Sequence, residues 1–226
     1  MSETAPLSVH RPDGDPRGGI VVTQEAFGVN DHIDDVTRRF AADGWLAVAP
    51  HLFHRTGDPR FGYEDITPVY PHMQALTADG VLADVDTALD HLAGAGIGTS
   101  RIGVVGFCMG GTVTLITAVH RDVGAAVTFY GGGLTEGRFG FAPLIEEAAN
   151  LRAPWLGLFG DLDAGIPVDA VEDLRTAAAT SGQPTEIVRY PDAGHGFHCD
   201  ARASYHEPSA TDAWGRTLGW FDRYLT

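Results

Sequence analysis

The chain has 226 residues, of which 44% are hydrophobic, so it can bury a sizeable core and is not of the disordered class. Its formal net charge is −15, and all fifteen basic residues are arginine. This balance argues against nucleic acid or an anionic membrane surface as a partner, because both require basic patches. No apolar stretch has the length of a membrane span and the start lacks a signal-peptide pattern, which predicts a cytoplasmic protein.

Apolar runs of strand length alternate with helical patterns along the first third of the chain. Residues 19–23 form the first clear strand pattern, and apolar residues at helical spacing predict a helix over 31–43. A second strand over 45–49 ends at Pro50. The segment 51–77 is a long loop rich in aromatic residues, proline and histidine. Loops of this length in compact domains usually form lids or pocket walls.

The same alternation continues to the carboxyl terminus. The other predicted strands are 102–105, 125–130, 155–159 and 186–190. Four more helices are predicted: one that begins near Asp79, one directly after segment 106–111, one over 168–180, and one at the end of the chain. This pattern predicts an α/β fold with a mostly parallel sheet and helices on both faces. Because we find no linker or internal repeat, we expect residues 1–226 to form a single domain.

A glycine-rich turn joins the strand at 102–105 to the helix that follows it. The segment Gly106-Phe107-Cys108-Met109-Gly110 has the form of a nucleophile elbow, with cysteine in the usual serine position. Small residues two positions before and after the nucleophile let the backbone bend sharply. The following helix directs its positive end at Cys108, which favours the thiolate over the thiol. On its own, however, such a turn is also typical of a buried core cysteine or a phosphate-binding loop.

Two further segments place an acid and a base in the order that α/β-hydrolases use. Asp161 and Asp163 follow the strand at 155–159, and His195 follows the strand at 186–190. All of these residues therefore lie beyond the carboxyl ends of strands, where open parallel sheets place their active sites. Acyl-transfer chemistry then assigns Cys108 as the acylated nucleophile, His195 as the base, and one of the two aspartates as the group that orients the histidine.

Three segments carry a resemblance to a known family. Gly106–Gly111 resembles the cysteine-centred elbow of the dienelactone hydrolases, Ala193–Phe197 resembles their histidine loop, and Thr23–Asn30 resembles their loop with a glutamate that faces the thiol. The resemblance extends from about residue 19 to the end of the chain. It implies an α/β-hydrolase fold and an ester or lactone hydrolase that needs no cofactor. The short amino terminus leaves room for one strand before Gly19, so the family's first strands are expected to be trimmed.

The resemblance also assigns individual roles. In the family the acid stands four residues before a proline, which favours Asp163 over Asp161. It implies that Glu25 holds the resting thiol and accepts its proton; the less favoured alternative is a surface glutamate on a mobile loop. The oxyanion would be held by the backbone N–H of Met109, at the helix start, and by that of Ala26, which matches the family's second donor.

The substrate-binding side departs from the family. Members that act on dienelactone carry an arginine four residues after the histidine, and Cys199 stands there in this chain. Arg60 and Arg202 are candidate substitutes, or else ordinary surface arginines, and Tyr130 is a candidate pocket wall. We therefore expect neutral esters or lactones to be processed at least as well as carboxylate-bearing ones.

Several alternatives remain open at this level. An acyltransferase or a thioesterase would use the same fold and residues, and a non-catalytic binding protein would keep the pocket. We expect no metal site, because no pair of histidines has the helical spacing of a zinc enzyme, and no disulfide between Cys108 and Cys199. The expected partner is a small ester or lactone, and the expected assembly is a monomer or homodimer.

Overall fold

The backbone of residues 4–226, which a computed structural model describes, forms seven strands and seven α-helices. The strands are Leu7–His10 (β1), Gly19–Thr23 (β2), Leu46–Pro50 (β3), Ile102–Phe107 (β4), Ala125–Phe129 (β5), Trp155–Gly160 (β6) and Thr185–Tyr190 (β7). The helices are Asp31–Ala42 (α1), Tyr70–Gln74 (α2), Ala78–Gly94 (α3), Met109–His120 (α4), Leu144–Glu147 (α5), Val168–Ala178 (α6) and Glu207–Tyr224 (α7). Every strand and long helix predicted from the sequence is present.

The seven strands form one sheet in the order β1-β3-β2-β4-β5-β6-β7. β1 pairs antiparallel with β3, with Val9 opposite Val48, and every other pair is parallel. The predicted mostly parallel sheet is therefore confirmed. Within residues 4–226, β1 is the strand that precedes β2.

Helices cover both faces of this sheet, because the side chains of its central strands alternate between two cores. All five residues of β2 are buried. Ile20 and Val22 pack in one cluster with Phe40 of α1, whereas Val21 packs in another with Leu92 of α3. Successive residues of a strand point to opposite faces, so a strand covered on both sides is apolar throughout.

The segment between β3 and α3 is more ordered than a simple loop. It contains 3₁₀ turns at His54–Thr56 and Thr67–Val69, followed directly by α2. The fully buried carboxylate of Asp84 in α3 anchors its first part, since it accepts hydrogen bonds from Arg55 Nη1 and Nη2, both at 2.8 Å. His54 Nε2 lies 3.0 Å from the same carboxylate. These bonds fix the path of the chain toward the carboxyl edge of the sheet.

Candidate active site

Cys108 sits at a strained turn between β4 and α4. Its φ of 54° and ψ of −115° place a non-glycine residue in a region that L-residues rarely adopt. Such a conformation costs on the order of 1–3 kcal/mol and persists only where surrounding contacts enforce it. Here the backbone N–H of Cys108 donates to Phe129 O at 3.1 Å, which ties the turn to β5. The half-buried thiol is thereby presented above the end of the sheet.

The two glycines that flank Cys108 are required by close contacts. A Cβ on Gly106 would lie 2.2 Å from the carbonyl oxygen of Gly110, and a Cβ on Gly110 would lie 2.2 Å from the carbonyl oxygen of Thr23. The Thr23 hydroxyl donates to Gly110 O at 2.8 Å, which joins the end of β2 to the start of α4. The elbow spacing seen in the sequence is thus a packing requirement between three segments of backbone.

His195 connects Cys108 with a buried carboxylate. Its Nδ1 donates to Asp163 Oδ2 over 2.6 Å, and the Asp163 side chain is only 3% exposed. The backbone N–H of Gly165 donates to the other carboxylate oxygen at 2.9 Å, so the acceptor is held in place. Since Nδ1 is engaged, Nε2 remains free to exchange a proton with Cys108, which lines the same cavity.

The protonation of His195 follows from these neighbours. Burial lowers its pKa, but the charge of Cys108 and the hydrogen bonds with Asp163 and Cys108 outweigh burial and raise the pKa to about 10. The imidazole therefore holds a proton at neutral pH, beside the buried carboxylate of Asp163.

Asp161, the alternative acid, has a different partner. Both of its carboxylate oxygens accept hydrogen bonds from the Arg189 guanidinium, at 2.8 and 2.7 Å. It is a fifth exposed and follows β6 directly, so its ion pair with Arg189 joins the end of β6 to β7. The structure thus pairs His195 with Asp163 and gives Asp161 a different role.

Glu25 follows β2 and is completely buried. Arg202 Nη1 donates to its Oε1 at 3.1 Å, and the Tyr63 hydroxyl donates to its Oε2 at 2.9 Å. Burial and the Glu25 charge raise the pKa of Tyr63, which keeps this hydroxyl protonated as a donor. A buried carboxylate is expensive without partners, and these two bonds satisfy that need.

A cavity of about 470 Å³ opens over Cys108. Its wall includes Ala26, one of the two candidate oxyanion donors, and Asp163 and His195. The other candidate donor, the N–H of Met109, is the first of α4 and so has no acceptor within the helix. The remaining lining residues are mostly apolar: Ile66, Tyr70, Met73, Gly132, Arg138, Leu162, Ala164, Gly165 and Ile166.

The predicted substrate-binding residues do not line this cavity. Arg60 lines a separate cavity of about 320 Å³, and Arg202 is committed to Glu25. Tyr130 is fully buried behind His195, with its ring centroid 5.2 Å from that of the imidazole. Their assignment as substrate contacts stays a prediction that the geometry of the cavity does not favour.

Comparison with known proteins decides the family. The family model described as the dienelactone hydrolase family matches residues 7–225. The chain belongs to the dienelactone hydrolase family.

Relatives of this dienelactone hydrolase-family chain are found in several bacteria. A protein of Escherichia coli O157:H7 named "putative carboxymethylenebutenolidase" is 42% identical over 209 residues, which cover 91% of this chain and 76% of the relative. A protein of the same name from Methylorubrum extorquens is 39% identical over 217 residues, covering 94% and 74%. The crystal structure of a "putative dienelactone hydrolase" from Klebsiella pneumoniae has a TM-score of 0.88 at 38% identity, covering 98% of this chain and 100% of that one. The α/β-hydrolase fold and the assignment as a hydrolase follow from these similarities.

The sequence-based search missed several residues that the family fold brings to the site. Arg138 is the one arginine among the described residues that line the cavity, and no pattern pointed to it. Tyr63 and three of the wall residues, Ile66, Tyr70 and Met73, lie in segment 51–77, whose length and aromatic content did indicate a pocket wall. The other apolar wall residues, Leu162, Ala164 and Ile166, follow β6, and no pattern pointed to them. Within residues 4–226, no helix combines the length and the apolar character that crossing a membrane requires.

Proposed function

We propose that this dienelactone hydrolase-family protein cleaves an ester or lactone through an acyl-enzyme intermediate on Cys108. The observation that carries the proposal is the position of His195 between Cys108 and the buried carboxylate of Asp163. All three side chains line the same cavity. In this arrangement a base serves the nucleophile and a third group orients the base.

The reaction follows from these positions. The thiolate of Cys108 attacks the ester carbonyl carbon, and the N–H groups of Ala26 and Met109 stabilise the oxyanion that forms. Collapse of this intermediate breaks the C–O bond, and the leaving oxygen takes the proton held on His195. Neutral His195 then removes a proton from water, which attacks the thioester and releases the carboxylic acid. Asp163 stabilises the imidazolium each time it forms.

The wall of the cavity supports a substrate with a substantial apolar part. Three large apolar side chains on its rim are exposed, namely Ile66 at 43%, Tyr70 at 49% and Leu162 at 65%. Exposed apolar residues around a concave site are typical of ligand contact. The name shared by the relatives denotes a hydrolase of a butenolide, which is an unsaturated lactone, and a molecule of that size fits the volume.

Glu25 is proposed to receive the proton of the resting thiol. β2 and β4 are neighbouring parallel strands with Thr23 opposite Gly106, so Glu25 and Cys108 each stand two residues beyond the same register position. A carboxylate offers about four lone-pair sites, so the bonds from Arg202 and Tyr63 leave acceptor capacity for a thiol. We further propose a monomer or homodimer that acts in the cytoplasm on a small-molecule substrate.

The two cysteines provide a matched test. Replacement Cys108→Ala should abolish turnover of a chromogenic short-chain ester, whereas Cys199→Ala should keep most of it. Mass spectrometry of rapidly quenched parent enzyme should find the acyl group on the peptide that contains Cys108. The proposal is wrong if Cys108→Ala retains more than about a thousandth of the parent rate, or if the acyl group is found elsewhere.

A further inference from the structure

Three buried side chains of metal-ligating type meet beneath the active site. They are Glu25 at the end of β2, His32 in the first turn of α1, and Cys199 in the loop after β7. One potential ligand atom from each, a carboxylate oxygen, an imidazole nitrogen and Sγ, lies within 4.8 Å of the others. All three residues are buried, with Glu25 and Cys199 at 0% exposure and His32 at 6%.

The imidazole of His32 has no hydrogen-bond partner among residues 4–226. Neither Nδ1 nor Nε2 makes a hydrogen bond, although the side chain is only 2% exposed. Buried polar groups are normally paired, and an unpaired one costs free energy that the fold must offset elsewhere. An unpaired imidazole beside a thiol and a carboxylate thus offers a lone pair that the protein itself does not use.

His32 lines a cavity of about 320 Å³ that is distinct from the one over Cys108, although both of its ring nitrogens are buried. Asp31 and Arg60 line the same cavity, so a cation that enters it meets both an acidic and a basic side chain. The carboxylate of Asp200 is 63% exposed, and its Oδ1 lies 3.9 Å from His32 Nδ1. This carboxylate can serve as a further oxygen ligand.

We propose that Glu25, His32 and Cys199 form a binding site for a single Zn²⁺ ion. Nitrogen, sulfur and carboxylate oxygen together form the donor set that Zn²⁺ uses in proteins. Zinc–ligand bonds of about 2.0–2.3 Å place tetrahedral ligand atoms roughly 3.3–3.8 Å apart, so the present atoms need to approach by about 1 Å. Water or Asp200 would complete the tetrahedron.

The neighbouring cation sets a limit on this site. Arg202 already donates to Glu25 Oε1, and its charge opposes a second cation nearby. A carboxylate retains lone pairs after accepting this bond and the one from Tyr63. Burial raises the pKa of the Cys199 thiol to about 11, so this thiol must release its proton to bind the metal, and the thiolate then balances part of the metal charge. The expected result is a reversible site rather than a permanently loaded one.

The test uses Cys108→Ala protein, so that the thiol of the active site cannot bind metal. Dialysis against Zn²⁺ followed by metal analysis should give one ion per chain. Co²⁺ in place of Zn²⁺ should give a near-ultraviolet thiolate-to-cobalt charge-transfer band, which reports a cysteine ligand directly. Adding Cys199→Ser should abolish the band, and adding His32→Phe should weaken binding at least a hundredfold, since a ligand is lost.

His198 supplies the matched control. It is a second buried histidine, whose ring centroid lies 5.9 Å from that of His32, and it is not part of the ligand cluster. His198→Phe in the Cys108→Ala background should keep the stoichiometry and the charge-transfer band. Phenylalanine is an aromatic residue similar in size to histidine, so His32→Phe and His198→Phe are both expected to fold. If the His32→Phe protein does not fold, His32→Gln is used in its place. Absence of the band in Cys108→Ala, or a band unchanged by both Cys199→Ser and His32→Phe, would overturn the proposal.

Zinc at this site would also restrain Glu25. If Glu25 accepts the thiol proton, Zn²⁺ should inhibit ester hydrolysis by the parent enzyme, and a chelator should restore it. His32→Phe should need at least tenfold more Zn²⁺ for the same inhibition. The inhibition assay rests on the proposed function, whereas Zn²⁺ binding to the Cys108→Ala protein does not. Failure of the metal site and failure of the proposed function can therefore be told apart.

Discussion

At the residue scale, two nearby carboxylates have different partners, and this difference favours Asp163 over Asp161 for the proposed catalytic role. Asp163 is almost fully buried against His195, whereas Asp161 accepts a two-point hydrogen bond from Arg189 near the surface. Both follow the same strand, and sequence spacing alone left both as candidates.

Substitution of each aspartate by asparagine tests this assignment. Asp163→Asn should lower kcat by a hundredfold or more, because an amide cannot stabilise the imidazolium or fix its tautomer. Asp161→Asn should leave kcat within about threefold and reduce the free energy of unfolding by about 1 kcal/mol or less, as for other partly exposed ion pairs. Steady-state kinetics and urea unfolding of both variants give the comparison. Equal losses of kcat in the two variants would contradict the assignment of Asp163, rather than Asp161, as the acid that orients His195.

Arg138 is the arginine that could bind a negatively charged group of a substrate in the cavity over Cys108. It is exposed at the mouth, and its guanidinium lies over the backbone of Gly132, where a Cβ would be 3.2 Å from its Cζ. An exposed ion pair contributes only about 0–1 kcal/mol, so a substrate carboxylate gains little there. We expect kcat/KM for a carboxylate-bearing lactone to be close to that for its methyl ester.

The measurement is the ratio of these two values in the parent, in Arg138→Ala and in Arg60→Ala. Arg138→Ala should change the ratio by less than about fivefold, in keeping with the small contribution of an exposed pair. Arg60 lines the other cavity, so Arg60→Ala should leave the ratio unchanged. A parent ratio far above one that collapses in Arg138→Ala would identify a carboxylate clamp and contradict the expectation.

At the element scale, α3 holds the segment that leads from β3 to the active-site wall. The carboxylate of Asp84 is completely buried, and it binds both Arg55 and His54. Asp86, two residues later in the same helix, pairs with Arg121 while both side chains are 30–41% exposed. Both carboxylates are paired with an arginine, so Asp84 and Asp86 differ in their burial and not in the type of their partner.

Removal of each carboxylate should therefore have unequal effects. Asp84→Ala removes a fully buried carboxylate and leaves the buried imidazole of His54 without this contact, so it should reduce the free energy of unfolding by about 2–4 kcal/mol. Asp86→Ala should reduce it by less than about 1 kcal/mol. Urea denaturation of both variants measures the difference. Similar losses would show that solvent reaches the Asp84 site.

At the scale of the whole molecule, the parallel sheet gathers the proposed machinery at one edge. Glu25 follows β2, Cys108 follows β4, Asp163 follows β6 and His195 follows β7. The carboxyl ends of these strands meet because each is parallel to its neighbour. Residues as far apart as Ala26 and His195, separated by 169 positions in the chain, thus line one cavity.

The same packing buries histidines that must stay neutral. Burial lowers the pKa of His198 to about 3, and the charges of His32 and Arg39 act in the same direction. Between about pH 3 and 6.5 the unfolded chain therefore binds a proton at this position that the folded protein does not. Stability from this group is fully present above about pH 6.5 and is lost as the pH falls toward 3.

A pH series of urea unfolding, with chelator present, tests this consequence. Each additional proton bound by the unfolded chain gives a slope of about 1.4 kcal/mol per pH unit. His198→Phe should reduce the slope between pH 4 and 6 by up to that amount. The exposed His120, which pairs with Glu147, is the control, and His120→Gln should leave the slope nearly unchanged. Parallel curves for the parent and His198→Phe would contradict the prediction.

The sequence by itself determined the order of strands and helices, the elbow at Cys108 and the positions of Asp163 and His195. These features are encoded locally, because the period of apolar residues defines an element and glycine marks a turn that no other residue fits. Only the tertiary structure decided what Glu25 touches, that Arg138 rather than Arg60 lines the cavity, and that Glu25, His32 and Cys199 meet. Those contacts join side chains as far apart as Glu25 and Arg202, separated by 177 positions, and depend on loop paths that no local pattern specifies.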